Sequence, residues 1–101
     1  MKNKKTDLFT IYKMLEDGVH FYRYYEHNGS LSDLCSLYAD NKYIRWCNYG
    51  SSAEPKTLSE LAWIILVIFE CNLNEFIKIM KPYKYDKYGG CYEVKYSDYI
   101  V

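Results

Sequence analysis

Residues 19–49 read VHFYRYYEHNGSLSDLCSLYADNKYIRWCNY, and the division of this stretch into elements decides the fold. From Val19 to Glu26 aromatic and β-branched side chains dominate, the composition of a half-buried pleated surface. The run stops at Asn28-Gly29, a pair that two-residue hairpin turns select because both central positions need positive φ. A strand is therefore expected over 19–26. Lys42 to Tyr49 has the same character and is closed by Gly50-Ser51-Ser52, giving another strand.

Between them, Leu31 to Ala39 fits two templates. Leu31, Leu34, Cys35 and Tyr38 have helical spacing, with Ser30 and Asp33 resembling a capping pair, whereas Leu34 and Tyr38 alternating with Ser32 and Ser36 fit a strand. Turn signals on both sides, Asn28-Gly29 and Asp40-Asn41, favour the strand. The middle of the chain is thus expected to be a three-stranded antiparallel meander.

Helical patterns flank it. Leu8, Ile11, Tyr12 and Leu15 recur at three- and four-residue intervals, with Thr6 or Asp7 as cap and Gly18 as stop. After Glu54-Pro55-Lys56, read as a linker, Thr57-Leu58-Ser59-Glu60 forms a capping box, in which the Thr57 hydroxyl and the Glu60 carboxylate each satisfy an orphan backbone amide. The helix that follows carries Leu61, Trp63, Ile64, Ile65, Val67, Ile68 and Phe69. It is apolar nearly all round and is expected to lie between the sheet and another element. Asn72-Leu73-Asn74-Glu75 repeats the cap pattern. Either a second helix with Phe76, Ile77, Ile79 and Met80 runs towards Pro82, or one helix spans 58–80 with a bend near Asn72.

The tail, Tyr83 to Tyr96, reads as two alternating runs around Gly89-Gly90. A two-residue turn there sets Lys84 opposite Lys95 and Asp86 opposite Glu93, like charges that oppose pairing. A three-residue turn at 89–91 pairs Lys87 with Glu93 and Tyr88 with Tyr92; otherwise 83–88 is loop and only 91–96 is strand. The fold class expected is α+β: an N-terminal helix, the meander, one or two helices packed on the sheet, and a Tyr-rich terminal strand or hairpin. At 101 residues the chain suits a single compact domain, 1–101, with 1–5 frayed.

Thirteen of the residues are tyrosine and none is glutamine. Lys, Asn, Ile and Tyr are common while Arg and Ala are scarce, the bias of an AT-rich genome, which suggests a low-GC bacterium or its phage. Formal net charge is zero, thirteen acids against thirteen bases. A duplex-DNA binder usually carries a basic excess because phosphate neutralisation dominates its affinity, and a nucleic-acid mimic would be strongly acidic. The basic start, Lys2, Lys4 and Lys5, runs into Asp7 and Lys13 rather than an apolar stretch, so no secretory signal is read and a cytoplasmic location is expected. The longest apolar run, 61–69, is about half the ~20 residues a bilayer crossing needs.

Chemistry is sparsely signalled. Cys35, Cys47, Cys71 and Cys91 contain no close pair of the kind zinc modules use. With a three-residue turn at 40–42, Cys35 would face Cys47, as a disulfide or shared metal site. His27 beside Asp33 and Cys35 is the one arrangement that suggests an enzyme, and neither it nor His20 sits in an activating motif. No catalytic residue, metal or cofactor is assigned. Interleaved Lys and Tyr in the tail suggest single-stranded nucleic acid, with rings stacking on bases and lysines meeting phosphates.

A protein partner is the leading expectation, since interfaces favour Tyr and Trp, whose rigid rings cover area at little entropic cost. The residues expected to bind are Tyr22, Tyr24, Tyr43 and Trp46 on the strands, and Tyr83, Tyr85, Tyr88, Tyr92 and Tyr96 in the tail. The sheet's aromatic face is either covered by the tail or offered to a partner, a homodimer included. A small, neutral chain of this kind suits a phage or mobile-element inhibitor of a host factor, such as a CRISPR effector.

Overall fold

The computed structural model describes residues 7–27, 30–48 and 51–100, and for 24–27, 30–35 and 48 it describes the backbone alone. In chain order the elements are α1 (Leu8–Glu16), β1 (His20–His27), β2 (Ser30–Ala39), β3 (Tyr43–Asn48), β4 (Ser51–Pro55), α2 (Leu58–Trp63), a π-helical turn (Ile64–Ile68), α3 (Leu73–Ile79), β5 (Lys81–Tyr85), β6 (Cys91–Glu93) and a 3₁₀ turn (Tyr96–Tyr99). The α+β class holds. The sheet has six strands, not three, in the order β4-β3-β2-β1-β5-β6, every neighbouring pair antiparallel.

The expected meander is its centre, and the strand reading of 30–39 is correct. It grows at both edges for one reason: β1 and β3 would otherwise present unpaired backbone groups. On one side the presumed linker Glu54-Pro55 is part of β4, which pairs along β3 from Tyr43↔Pro55 to Cys47↔Ser51. On the other, β5 pairs with β1 through Phe21↔Pro82. Pro82 is tolerated inside the sheet because its C=O accepts from the Val94 amide at 3.0 Å, so its missing N–H faces β6 where that strand has already ended.

Two hairpins differ from their expected registers. The β2–β3 turn is one residue shorter than a 40–42 turn, with the Asp40 amide bonded to the Tyr43 carbonyl at 3.0 Å. Asp40 itself makes the tight turn possible, its Oδ1 accepting the Lys42 and Tyr43 amides at 2.9 and 2.8 Å. Cys47 consequently pairs with Ser36, and Cys35 with Asn48, so the two cysteines are not cross-strand partners. In the tail, β5 and β6 pair as Tyr83↔Glu93, Lys84↔Tyr92 and Tyr85↔Cys91 around residues 86–90. Asp86 Oδ1 accepts the Tyr88 and Gly90 amides there and the Asp86 amide bonds to the Gly90 carbonyl at 2.8 Å, so the loop is three residues long, at 87–89 rather than 89–91, and the like-charge pairs of the two-residue turn are avoided.

All the helices pack on one sheet face. Asp7 caps α1 by accepting the Thr10 amide at 2.8 Å, and Gly18 stops it at φ 85°. Thr57 caps α2 by accepting the Glu60 amide at 3.1 Å. The Phe69 amide then reaches five residues back to the Ile64 carbonyl at 3.0 Å, the π-helical widening. Glu70, at φ 53°, reverses the chain, and Asn72 and Glu75 form a full capping box, so 58–80 is two helical units. Ile11, Met14 and Leu15 from α1, Phe21, Leu37, Ile44 and Trp46 from the sheet, and Leu61, Ile64, Phe69, Phe76 and Met80 form one core.

Glu70 is the one non-glycine residue among those described with positive φ, a backbone region that costs an L side chain about 1 kcal/mol and glycine little. Glu70→Gly is therefore expected to stabilise the protein by about 1 kcal/mol, read as a rise of several degrees in melting temperature. A fall in melting temperature would mean that the Glu70 side chain contributes more than its backbone strain removes.

Candidate functional site: the outer face of the sheet

Cross-strand partners share a sheet face, so the pairings His20↔Tyr83, Tyr22↔Ser36, Tyr38↔Arg45 and Arg45↔Ala53 assign these residues to the face opposite the core. The tail does not cover them. Its hairpin extends the sheet sideways, and its 3₁₀ turn passes over the helix side, where Tyr99 donates to Asp17 at the end of α1. Lys84 Nζ joins the same carboxylate at 2.9 Å.

What remains open is a set of rings held by one another. The His20 and Tyr38 rings stack nearly parallel, 4.8 Å apart at 7°. Tyr85 meets His20 edge-on at 4.9 Å, and Tyr83 meets Tyr22 likewise at 5.9 Å. The Tyr22 and Tyr85 hydroxyls share a hydrogen bond of 2.6 Å, and the Tyr22 hydroxyl lies 3.5 Å from His20 Nδ1. These contacts order the side chains in advance of any ligand, which reduces the entropy lost when something binds. Towards β4 the face continues as a shallow groove of about 450 Å³ over Ser36, Tyr38, Arg45, Cys47, Ser51 and Ala53.

The polar groups of this face are already balanced. Arg45 Nε donates to Asp40 Oδ2 at 2.7 Å, and that contact, with the two turn amides, pulls the Asp40 carboxyl down to about 2. Half-burial among the rings lowers the pKa of His20 below its ordinary 6.5. A base depressed in the folded state binds fewer protons there than in the unfolded chain. Its contribution to stability is full above pH 6.5 and declines as pH falls through 6.5 towards the folded pKa. A proton NMR titration of the His20 ring should show a midpoint below 6.5; a midpoint at or above it would mean that the ring is not desolvated.

The expected binding residues separate into groups. Tyr22, Tyr83 and Tyr85 lie on the open face, with Tyr43 exposed beside Arg45 at its end, the guanidinium 5.6 Å from the ring centroid. Tyr88 is exposed at the β5–β6 turn and Tyr92 on the short edge strand, paired with Lys84 and therefore on the helix side. Trp46 is buried in the core, and Tyr96 is half-buried against it. Trp46 pairs with Leu37 and meets Trp63 edge-on, and Tyr96 stacks on Phe21 and donates to the Met80 carbonyl at 2.7 Å. The Tyr24 side chain lies outside the described residues, as do Tyr49 and the Asn28-Gly29 turn. His20, Tyr38 and Arg45 were missed as members of the site, although the i, i+2 relation of His20 and Tyr22 signals a common face.

The side chains of His27, Asp33 and Cys35 lie outside the described residues, and only their backbone register is described. His27 pairs with Ser30, Asp33 with Tyr24 and Cys35 with Arg23, which sets Asp33 three residues along from the partner of His27, about 10 Å. Among the described residues no group of three His, Cys, Asp or Glu is placed to hold a metal ion, and no helix is long and apolar enough to cross a membrane. No family model, curated protein or solved structure matches the chain.

Proposed function

We propose that the protein is a non-enzymatic binding module that docks a protein partner on the outer face of its sheet, around His20, Tyr22, Tyr38, Tyr83 and Tyr85. The supporting observation is that these rings are uncovered yet already ordered by stacking and by the Tyr22–Tyr85 hydrogen bond. Interface hot spots have this character: rigid aromatic anchors that lose little entropy on contact.

Charge favours protein over nucleic acid. Single strands stack on such rings too, but they also need cations for their phosphates. Arg45 on this face is tied to Asp40, and Glu93 opposite Tyr83 adds a negative charge beside the rings. The lysines interleaved with the tail tyrosines are dispersed, Lys84 onto Asp17 and Lys87 over the Tyr88 ring at the turn. Blocking a host factor, such as a CRISPR effector, is the role that this binding would serve.

Affinity capture with the immobilised wild-type chain and with the double variant Tyr38→Ala, Tyr85→Ala tests the reading. One protein retained stoichiometrically by the wild type and lost by the variant is the expected result. Equal retention by both, or oligonucleotide binding that weakens steeply with salt, overturns it.

A further inference from the structure

β4 is an edge of the sheet, and the bonding pattern decides what that edge can take. Along an antiparallel pair, hydrogen-bonded and non-bonded positions alternate. The Lys56 amide bonds to the Lys42 carbonyl at 3.0 Å, so in the same register Ile44↔Glu54 and Trp46↔Ser52 are bonded pairs while Arg45↔Ala53 and Cys47↔Ser51 are not. The N–H and C=O groups of Ser51 and Ala53 therefore point away from β3, and among the described residues nothing pairs with them. Pro55 closes the edge: it brings no N–H, and its carbonyl accepts the Thr57 amide at 2.9 Å. We infer that β4 receives an extended segment of the protein partner as a seventh strand, one that places a Lys or Arg side chain on the helix side of the sheet.

Two hollows flank this edge, one on each face, and strand alternation sends successive side chains of an added strand into each in turn. On the outer face lies the groove of about 450 Å³, where the small Ser51 and Ala53 side chains leave room beside Tyr38. Arg45 there is already held by Asp40, so an uncharged side chain suits this side. On the helix side a hollow of about 330 Å³ is walled by Glu54, Ser59, Glu60 and Trp63. The helix expected to lie between two layers is open here, and Trp63 is 43% exposed. Glu54 and Glu60 make no ion pair among the described residues. A cation entering from an added strand gains two carboxylates and an indole face. The same charges turn away the β4 of a second copy, which carries Glu54 and neither lysine nor arginine. The opposite edge strand, β6, adjoins neither hollow. That the partner is a protein rests on the proposed function; its backbone form and its charge come from the edge.

Two synthetic peptides test it, Ac-Ser-Thr-Tyr-Lys-Tyr-Thr-Ser-NH2 and the same sequence with Glu in place of Lys, each titrated into the isotope-labelled chain and followed by amide NMR. The lysine peptide should shift the Ser51 and Ala53 amides and bind about tenfold or more tightly than the glutamate peptide. Ala53→Pro removes an outward N–H without touching a bond to β3, so it should keep the wild-type melting temperature and weaken the lysine peptide about tenfold. The double variant Glu54→Gln, Glu60→Gln should bind the two peptides alike. Equal binding of both peptides by the wild type, binding of neither, or a lysine peptide that Ala53→Pro binds as the wild type does overturns the inference. A wild-type dimer in sedimentation velocity that Ala53→Pro makes monomeric would assign the edge to a second copy and also overturn it. A captured protein that Ala53→Pro retains and the Tyr38→Ala, Tyr85→Ala variant loses would overturn this inference and leave the proposed function standing. The lysine peptide bound at the edge by a chain that captures no protein would do the reverse.

Discussion

Phe21→Ala is expected to destabilise the protein by about 4 kcal/mol, the largest single-residue effect on the fold. Phe21 sits on β1 with β2 on one side and β5 on the other, paired with Leu37 and Pro82, and no part of it reaches solvent. Its ring lies 5.5 Å from Phe76 and 6.1 Å from Tyr96, so one side chain joins the central strand, the third helix and the tail. Truncation removes the transfer free energy of the ring and leaves a cavity bounded by backbone on the sheet side, which cannot collapse to fill it. Domains of this size are stable by roughly 5–15 kcal/mol, so the variant would lose a large part of its stability. Urea unfolding should show a lower midpoint with an unchanged slope. Phe9→Ala, on the exposed side of α1, should stay within about 0.5 kcal/mol of wild type. Equal losses for the two would mean that Phe21 is not at the centre of the core.

The same geometry explains which elements were legible in the sequence. β1 and β3 were readable because aromatic and β-branched residues mark each strand, β2, which has one aromatic and no β-branched residue, only because turn signals bound it on both sides, and α1, α2 and α3 because each carries a cap at the right distance from an apolar run. β4 was not, because Ser51 to Pro55 has no apolar alternation to read. As an edge strand with only Glu54 partly buried, it forms because β3 offers an unpaired edge, a property of the assembled sheet. β5 was obscured by Pro82, whose tolerance depends on where β6 ends. For the site, the limit was register. Arg45 and Trp46 are adjacent, yet one faces the open groove and the other the core, and only the length of the Asp40 turn decides which. The same one-residue difference separates Cys35 from Cys47.

Tyr85→Ala and Tyr96→Ala should divide the tail's tyrosines by what they do. Tyr96 packs against the core: its ring stacks on Phe21, its hydroxyl satisfies the Met80 carbonyl, and burial, with Glu93 nearby, raises its pKa well above the ordinary tyrosine value. Its truncation should cost about 3 kcal/mol of stability, whereas Tyr96→Phe, which removes only the hydrogen bond, should cost about 1 kcal/mol. Tyr85 is the opposite case, nearly half exposed, with one hydrogen bond to Tyr22 in solvent and an edge contact to His20. Tyr85→Ala should stay within about 1 kcal/mol of wild-type stability while weakening partner binding by about 2 kcal/mol, roughly thirtyfold, as expected of a central aromatic anchor. Urea unfolding and calorimetric titration with the captured partner measure the two quantities separately. Unchanged affinity in Tyr85→Ala would remove the aromatic face from the binding site. Lost affinity in Tyr96→Ala at wild-type stability would move the contact to the end of the tail, where the Tyr99 and Lys84 side chains meet on Asp17.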